Sequence, residues 1–209
     1  MLNYTNFTLF LVASWILIIT PGPDMLYVIT RGMSQGRAAG IFSALGVTLG
    51  ILIHTVFAAL GLAVLLQTSA VAFSIVKYIG AVYLIYLGLK AIKDKSSVVL
   101  DKQQKPVNFR VIFFQGTLSN VLNPKVALFF LAFLPQFVNQ ESGHVSLQMI
   151  CLGMVFAFFG VIFLCTVGYF SGRIGHWLAT RSHIADKLSW LTGCVLIGLG
   201  VRLAFTDRR

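Results

Sequence analysis

The chain has 209 residues, of which 57% are hydrophobic and 11% charged, with a mean hydropathy of +0.87. A soluble domain carries about 25% charged residues, so the composition excludes an ordinary soluble globule and makes lipid the main solvent. A net charge of +10 would suggest a nucleic-acid partner in a soluble protein, but the bases lie mostly between apolar runs, where they are expected to set membrane orientation instead, with no nucleic acid involved.

Met1 to Asn6 carries no base, and no small-residue cleavage site follows it. The first apolar run, residues 7–29, is therefore expected to remain in the mature protein rather than to be removed as a secretory signal. Inside it lies Thr20-Pro21-Gly22-Pro23-Asp24. Proline lacks the N–H and clashes with the preceding turn, so the helix must break there. Lipid does not tolerate the freed backbone groups, so the break must face protein or a water-filled cavity. Pro23 suits the first position of a new half-helix, and Asp24 then occupies its first turn, where the helix dipole favours an anion. A first-turn acid can simply stabilise that half-helix. Against this stands an insertion cost of about 2.5–3.5 kcal/mol for a charge at the bilayer centre.

Arg31 and Arg37 flank a short glycine-bearing turn. A second span is expected over residues 40–66, with a turn at Gln67-Thr68-Ser69, and a third over residues 71–92. His54 in the second span is either a packed neutral histidine or a proton relay, since its unperturbed pKa is near 6.5. Gly46-x-x-x-Gly50 offers a close-approach face, either within the chain or as the seam of a homodimer. The same close approach is expected of Gly61, Gly80, Gly88, Gly153, Gly160, Gly193, Gly198 and Gly200.

Residues 93–110 are polar, basic and proline-bearing, and read as a surface linker between two halves, 1–92 and 111–209. The fourth span, residues 111–138, repeats the break with the opposite charge: Asn120-Val121-Leu122-Asn123-Pro124-Lys125. Lys125 lies about 20 Å into its span at ~1.5 Å per residue, past the middle of a core ~30 Å thick. Snorkelling to the interface is therefore a poor account of it. In the first turn of a half-helix it also opposes the dipole, so the sequence shows no local structural return for it. Asn120 and Asn123 can offer amides to unwound backbone or to a ligand. Gln115 and Thr117 on the same span can line the same cavity or hold helices together.

A fifth span is expected over residues 145–170, then a basic loop from Arg173 to Lys187, then a sixth span over residues 188–205. Cys151, Cys165 and Cys194 fall in apolar runs with no Cys-x-x-Cys pair, so neither a disulfide framework nor a metal site is implied. The two groups of three spans are similar. Pro23-Asp24 maps onto Pro124-Lys125 at an offset of 101. At an offset of 112, Tyr78, Leu84, Ile85, Leu87, Gly88 and Lys90 map onto Trp190, Leu196, Ile197, Leu199, Gly200 and Arg202. Three is odd, so the second copy must enter the membrane from the other side. The expected fold is thus an all-α integral membrane protein of six transmembrane helices in two inverted three-helix repeats, with broken first and fourth helices. Eleven of the sixteen bases fall in the loops after spans one, three and five, which the positive-inside rule places in the cytoplasm, with both termini outside.

Two broken spans, one with an acid and one with a base, point to a transporter's binding site. A channel for small solutes is the alternative. An intramembrane electron or metal-handling protein would need paired cysteines or a cluster of ligands that this sequence lacks.

Together, Thr20-Pro21-Gly22-Pro23-Asp24, Asn120-x-x-Asn123-Pro124-Lys125 and Tyr78-Ile79-Gly80-Ala81-x-Tyr83-Leu84 resemble the lysine exporter superfamily, in its branch that exports homoserine, threonine and homoserine lactone from bacteria. The resemblance covers nearly the whole chain. It implies a multi-pass inner-membrane exporter of amino acids or close derivatives, driven by proton antiport, with no cofactor and no enzymatic activity. Relatives export different amino acids, so it does not fix the substrate. On that reading the substrate-binding residues are Pro21, Gly22, Pro23, Asp24, Gln115, Asn120, Asn123, Pro124 and Lys125, and the proton-coupling candidates are Asp24 and His54. Lys125 would take a carboxylate, and Asp24 an ammonium or the exchanged proton. In the empty site the two charges could pair directly or through water.

Overall fold

The structure, a computed structural model, describes residues 4–62, 70–93, 107–139, 142–180 and 182–205, which contain helices and no strand. The turn expected at Gln67–Ser69 and most of the linker, residues 94–106, lie outside the described residues.

Helix α1 (Tyr4–Ile19) runs until Pro21 and Pro23 prevent its continuation. Pro23 then opens α2 (Pro23–Gln35) from an extended Gly22, and the pair bends by 46°. Gly36, at φ +91°, ends α2. An L side chain is strained at that angle, and a single glycine suffices to turn the chain into α3 (Arg37–Phe57). Arg31 is therefore inside α2 rather than on the edge of a turn. A wide π turn, Ala58–Leu62, extends α3, and α4 (Ala70–Lys93) follows.

The second half repeats the break. Asn108 caps α5 (Phe109–Val121) by accepting from the Val111 N–H at 3.2 Å. Asn123 caps α6 (Pro124–Leu128) by accepting from the Lys125 N–H at 3.0 Å. This is the residue type and position a helix start favours, with proline at the first helical place. The chain continues through a π turn, Phe129–Phe133, and a 3₁₀ turn, Leu134–Phe137. The α5–α6 pair bends by 49°. Then come α7 (Val145–Tyr169), α8 (Ser171–Thr180) and α9 (Ser182–Phe205). The basic stretch expected as a loop is thus largely helical. Its charges hide a helical spacing that puts Ser171 fully inside and packs Ile174 on the core.

The segment Arg37–Gly61 and helix α7 are each long and apolar enough to cross a membrane, and Phe7–Ile19 with Pro23–Gln35, and Phe109–Val121 with Pro124–Phe137, are so as bent pairs. α4 and α9 are each 24 residues long.

Glycine sets how the helices meet. A Cβ added at Gly46 would lie 2.1 Å from the Phe113 carbonyl of α5, and one at Gly50 would lie 2.6 Å from the Asn120 side chain. The Gly46-x-x-x-Gly50 face is therefore filled from within the chain, not held open for a partner. On α7, Gly168 meets the Gly40 backbone and Gly153 meets Thr55, so α3 and α7 cross antiparallel. In α4 and α9, Gly88 meets Gly193, and Gly200 meets Ala81, again antiparallel. Gly61 and Gly198 have no neighbour within 4 Å where a Cβ would stand. The close-approach reading does not hold for them.

Near the second break the core is aromatic. The Phe129 ring lies 4.8 Å from that of Phe156 of α7, tilted by 30°, and 6.3 Å from that of Phe10 of α1. This cluster fixes α6 and so holds Lys125 in place.

Candidate functional site

The two breaks meet in the middle of the bundle. At the end of α1 the last carbonyls have no partner within their own helix. The Lys125 ammonium supplies one: Nζ donates to Leu17 O at 3.1 Å and to Thr20 O at 2.8 Å. A cation at a helix C-terminus is favoured by the dipole. The sequence had suggested that Lys125 suffers a dipole penalty with no structural return. The return exists, and it comes from the other half of the chain. Thr20 also turns its hydroxyl back onto Ile16 O.

Gly22 leaves room for this contact. Its backbone is extended, at φ −161° and ψ −178°, which any residue can adopt. A Cβ there would lie 3.0 Å from Lys125 Nζ. Close approach, not conformation, calls for glycine.

Asp24 stands in the first turn of α2 and is buried. Its Oδ2 accepts from Asn120 Nδ2 at 2.7 Å and from Asn123 Nδ2 at 2.9 Å. An ionised carboxylate only accepts, which orients both amides. Asp24 Oδ1 and Asn120 Oδ1 are buried without a partner. Such orphaned acceptors are rare and costly. Asp24 and Lys125 do not touch: each makes its hydrogen bonds with other groups, so of the two pairings considered from sequence, direct or through water, the direct one is absent.

His54 lies beside this site. Its Nε2 is 3.2 Å from Asn120 O, and its ring stacks 5.8 Å from Phe130. A carbonyl only accepts, so it is Nε2–H that donates in this contact. Asn120 thereby ties His54 to Asp24, through its carbonyl on one side and its amide on the other.

Asp24, Asn120 and Lys125 line a cavity of about 40 Å³, together with Thr20, Gly22 and apolar groups from α1, α2, α3, α6 and α7. A water needs roughly 10–15 Å³ of such space, so the cavity has room for about three waters and none for an amino acid. Of the expected site residues, Gly22, Asp24, Asn120 and Lys125 line it. Asn123 braces Asp24, and Pro21, Pro23 and Pro124 build the breaks. Gln115 stands apart: it accepts from Arg31, whose other guanidinium nitrogen donates to Gln35 at 3.2 Å. Thr117 donates to Gly46 O at 2.9 Å and so holds α5 on α3. Sequence reasoning missed the backbone carbonyls of Leu17 and Thr20, which no residue type advertises. It also missed Val47, Ile51 and Phe156, apolar residues that look like any others in a span.

The chain matches the family model described as LysE type translocator over residues 15–207. The chain belongs to the LysE type translocator family. Among its relatives are an uncharacterized membrane protein, YrhP, of Bacillus subtilis, 33% identical over 195 residues that cover 89% of this chain and 92% of that one. A leucine efflux protein of Salmonella choleraesuis is 30% identical over 200 residues, covering 95% and 94%. An uncharacterized membrane protein, PA4757, of Pseudomonas aeruginosa is 29% identical over 208 residues, covering 97% and 96%. No solved structure matches the chain. Both breaks, with the buried acid and base that follow them, lie within the matched residues 15–207.

Proposed function

We propose that this translocator is a secondary active exporter of amino acids or close derivatives across the bacterial inner membrane, working by proton antiport. The observation that carries the reading is the meeting of the two breaks: a buried acid and a buried base face one small cavity without touching each other. A zwitterion carries the complementary pair of charges. An ammonium has three donors, and two of those on Lys125 are used, which leaves one for a substrate carboxylate. The free Oδ1 of Asp24 can accept from a substrate ammonium or hold the exchanged proton.

The name of the Salmonella relative supports export and an amino-acid substrate. The six-span inverted repeat is supported by the α4–α9 crossing. The offset of 112 carries Ala81 onto Gly193 and Gly88 onto Gly200, so the contacts Gly88–Gly193 and Gly200–Ala81 exchange with each other. A two-fold axis in the membrane plane predicts such an exchange.

The test is net uphill flux of neutral amino acids in proteoliposomes under an imposed pH gradient. Flux should run against the proton gradient and cease when the gradient and the membrane potential are both collapsed. Uphill flux that persists after that collapse overturns proton coupling. His54→Gln keeps a donor for the Asn120 carbonyl and should retain gradient-driven flux, whereas Asp24→Asn should lose it. Loss in His54→Gln alone would move the coupling group from Asp24 to His54.

A further inference from the structure

Gly160 is the glycine of α7 that close packing does not explain. Its neighbours on the helix do have a reason: a Cβ at Gly153 would lie 2.3 Å from the Thr55 side chain, and one at Gly168 would lie 2.7 Å from the Gly40 backbone. At Gly160 the nearest atom is Ile51 Cδ1, at 3.4 Å, an ordinary contact. Yet Gly160 is buried mid-helix, where glycine lowers stability relative to alanine. What it borders is the cavity.

Phe156, Gly160 and Leu164 follow at steps of four, so they share one face of α7. Opposite them stand Val47 and Ile51 of α3, with Leu17 and Met25 nearby. This wall is apolar. The charged side chains that line the cavity are Asp24 and Lys125, and both are matched by the two charges of an amino acid backbone. No charged group remains to neutralise a charged substrate side chain, and desolvating such a charge unpaired is prohibitively costly.

We propose that Gly160 is the floor of a side-chain pocket, and that the pocket selects zwitterionic amino acids with uncharged, aliphatic side chains, its depth set by the missing Cβ. This rests on the exporter reading above and adds to it the substrate class and the residue that sets its size. A methyl group is about as large as a water, whose share of liquid is ~30 Å³. On the measure by which this cavity is about 40 Å³, a water takes ~10–15 Å³, so one added methyl removes about a third of the space from which the pocket must open.

The experiment is competition and counterflow in proteoliposomes with leucine, alanine, lysine and glutamate, for the wild type, Gly160→Ala and Gly160→Val. Gly153→Ala and Gly198→Ala serve as packing controls, and membrane abundance is measured throughout. In the wild type, leucine should compete and lysine and glutamate should not. Gly160→Val should depress leucine flux by about tenfold or more while alanine flux changes less than about twofold, since a methylene in an apolar pocket discriminates ~10–200-fold. Gly160→Ala should fall between. Lysine or glutamate competing as well as leucine overturns the aliphatic class. Equal losses of leucine and alanine flux in an inserted Gly160→Val protein overturn the pocket and leave the exporter standing. A wild type that moves no amino acid overturns the exporter reading and the pocket with it. The wild-type competition pattern keeps the class falsifiable even where a variant fails to insert.

Discussion

Lys125→Met is expected to abolish export and to destabilise the protein by about 2–6 kcal/mol. Methionine keeps most of the volume but cannot donate to the carbonyls of Leu17 and Thr20. Each buried acceptor left unsatisfied costs ~1–3 kcal/mol, and two are stranded. Asp24→Asn should behave differently. Its side-chain oxygen can still accept from Asn120 and Asn123, so stability should change little while transport is lost. In a buried ion pair, removing both charges relieves the partner that a single change strands. In the structure the Lys125 ammonium bonds carbonyls and not Asp24, so the double variant should recover little of the Lys125→Met loss. Thermal melts in detergent and counterflow in proteoliposomes measure the two halves of this prediction. An inserted Lys125→Met protein with wild-type export would remove Lys125 from the site. A double variant more stable than Lys125→Met would restore direct coupling between the charges.

Gly46→Ala should be among the most damaging single-methyl changes in the molecule. Its Cβ would stand 2.1 Å from the Phe113 carbonyl, a backbone atom that cannot swing away. Overpacking costs about 1–3 kcal/mol and occasionally more, and here α3 and α5 must separate to relieve it. Separation would weaken the Thr117–Gly46 hydrogen bond and draw Gly50 away from Asn120, which anchors Asp24. Stability and export should therefore fall together. Gly198→Ala, with nothing within 4 Å, should be neutral or stabilising by up to about 1 kcal/mol from helix propensity. The check is melting temperature and residual flux for both variants. A Gly46→Ala protein that melts with the wild type would show that α3 and α5 do not pack this closely.

Several features were legible in the sequence because they are local. Proline forbids helix continuation, so Pro21, Pro23 and Pro124 located both breaks, and Asp24 and Lys125 could be assigned to the first turns that follow. Apolar run lengths located the long helices for the same reason: a bilayer demands a fixed length of apolar helix. The motifs carried the family. What tertiary structure alone decided is non-local. Lys125 looked energetically unaccounted for until α1, about a hundred residues earlier, brought two unpaired carbonyls to it. Gln115 looked like a site residue because it shares a span with Asn120, but the packing of α5 on α2 turned it toward Arg31. Gly46, Gly160 and Gly198 read alike in the chain. One is wedged against backbone, one floors a cavity and one meets open space, because a glycine's role depends on what stands where its Cβ would be, and that is set by the neighbouring helix.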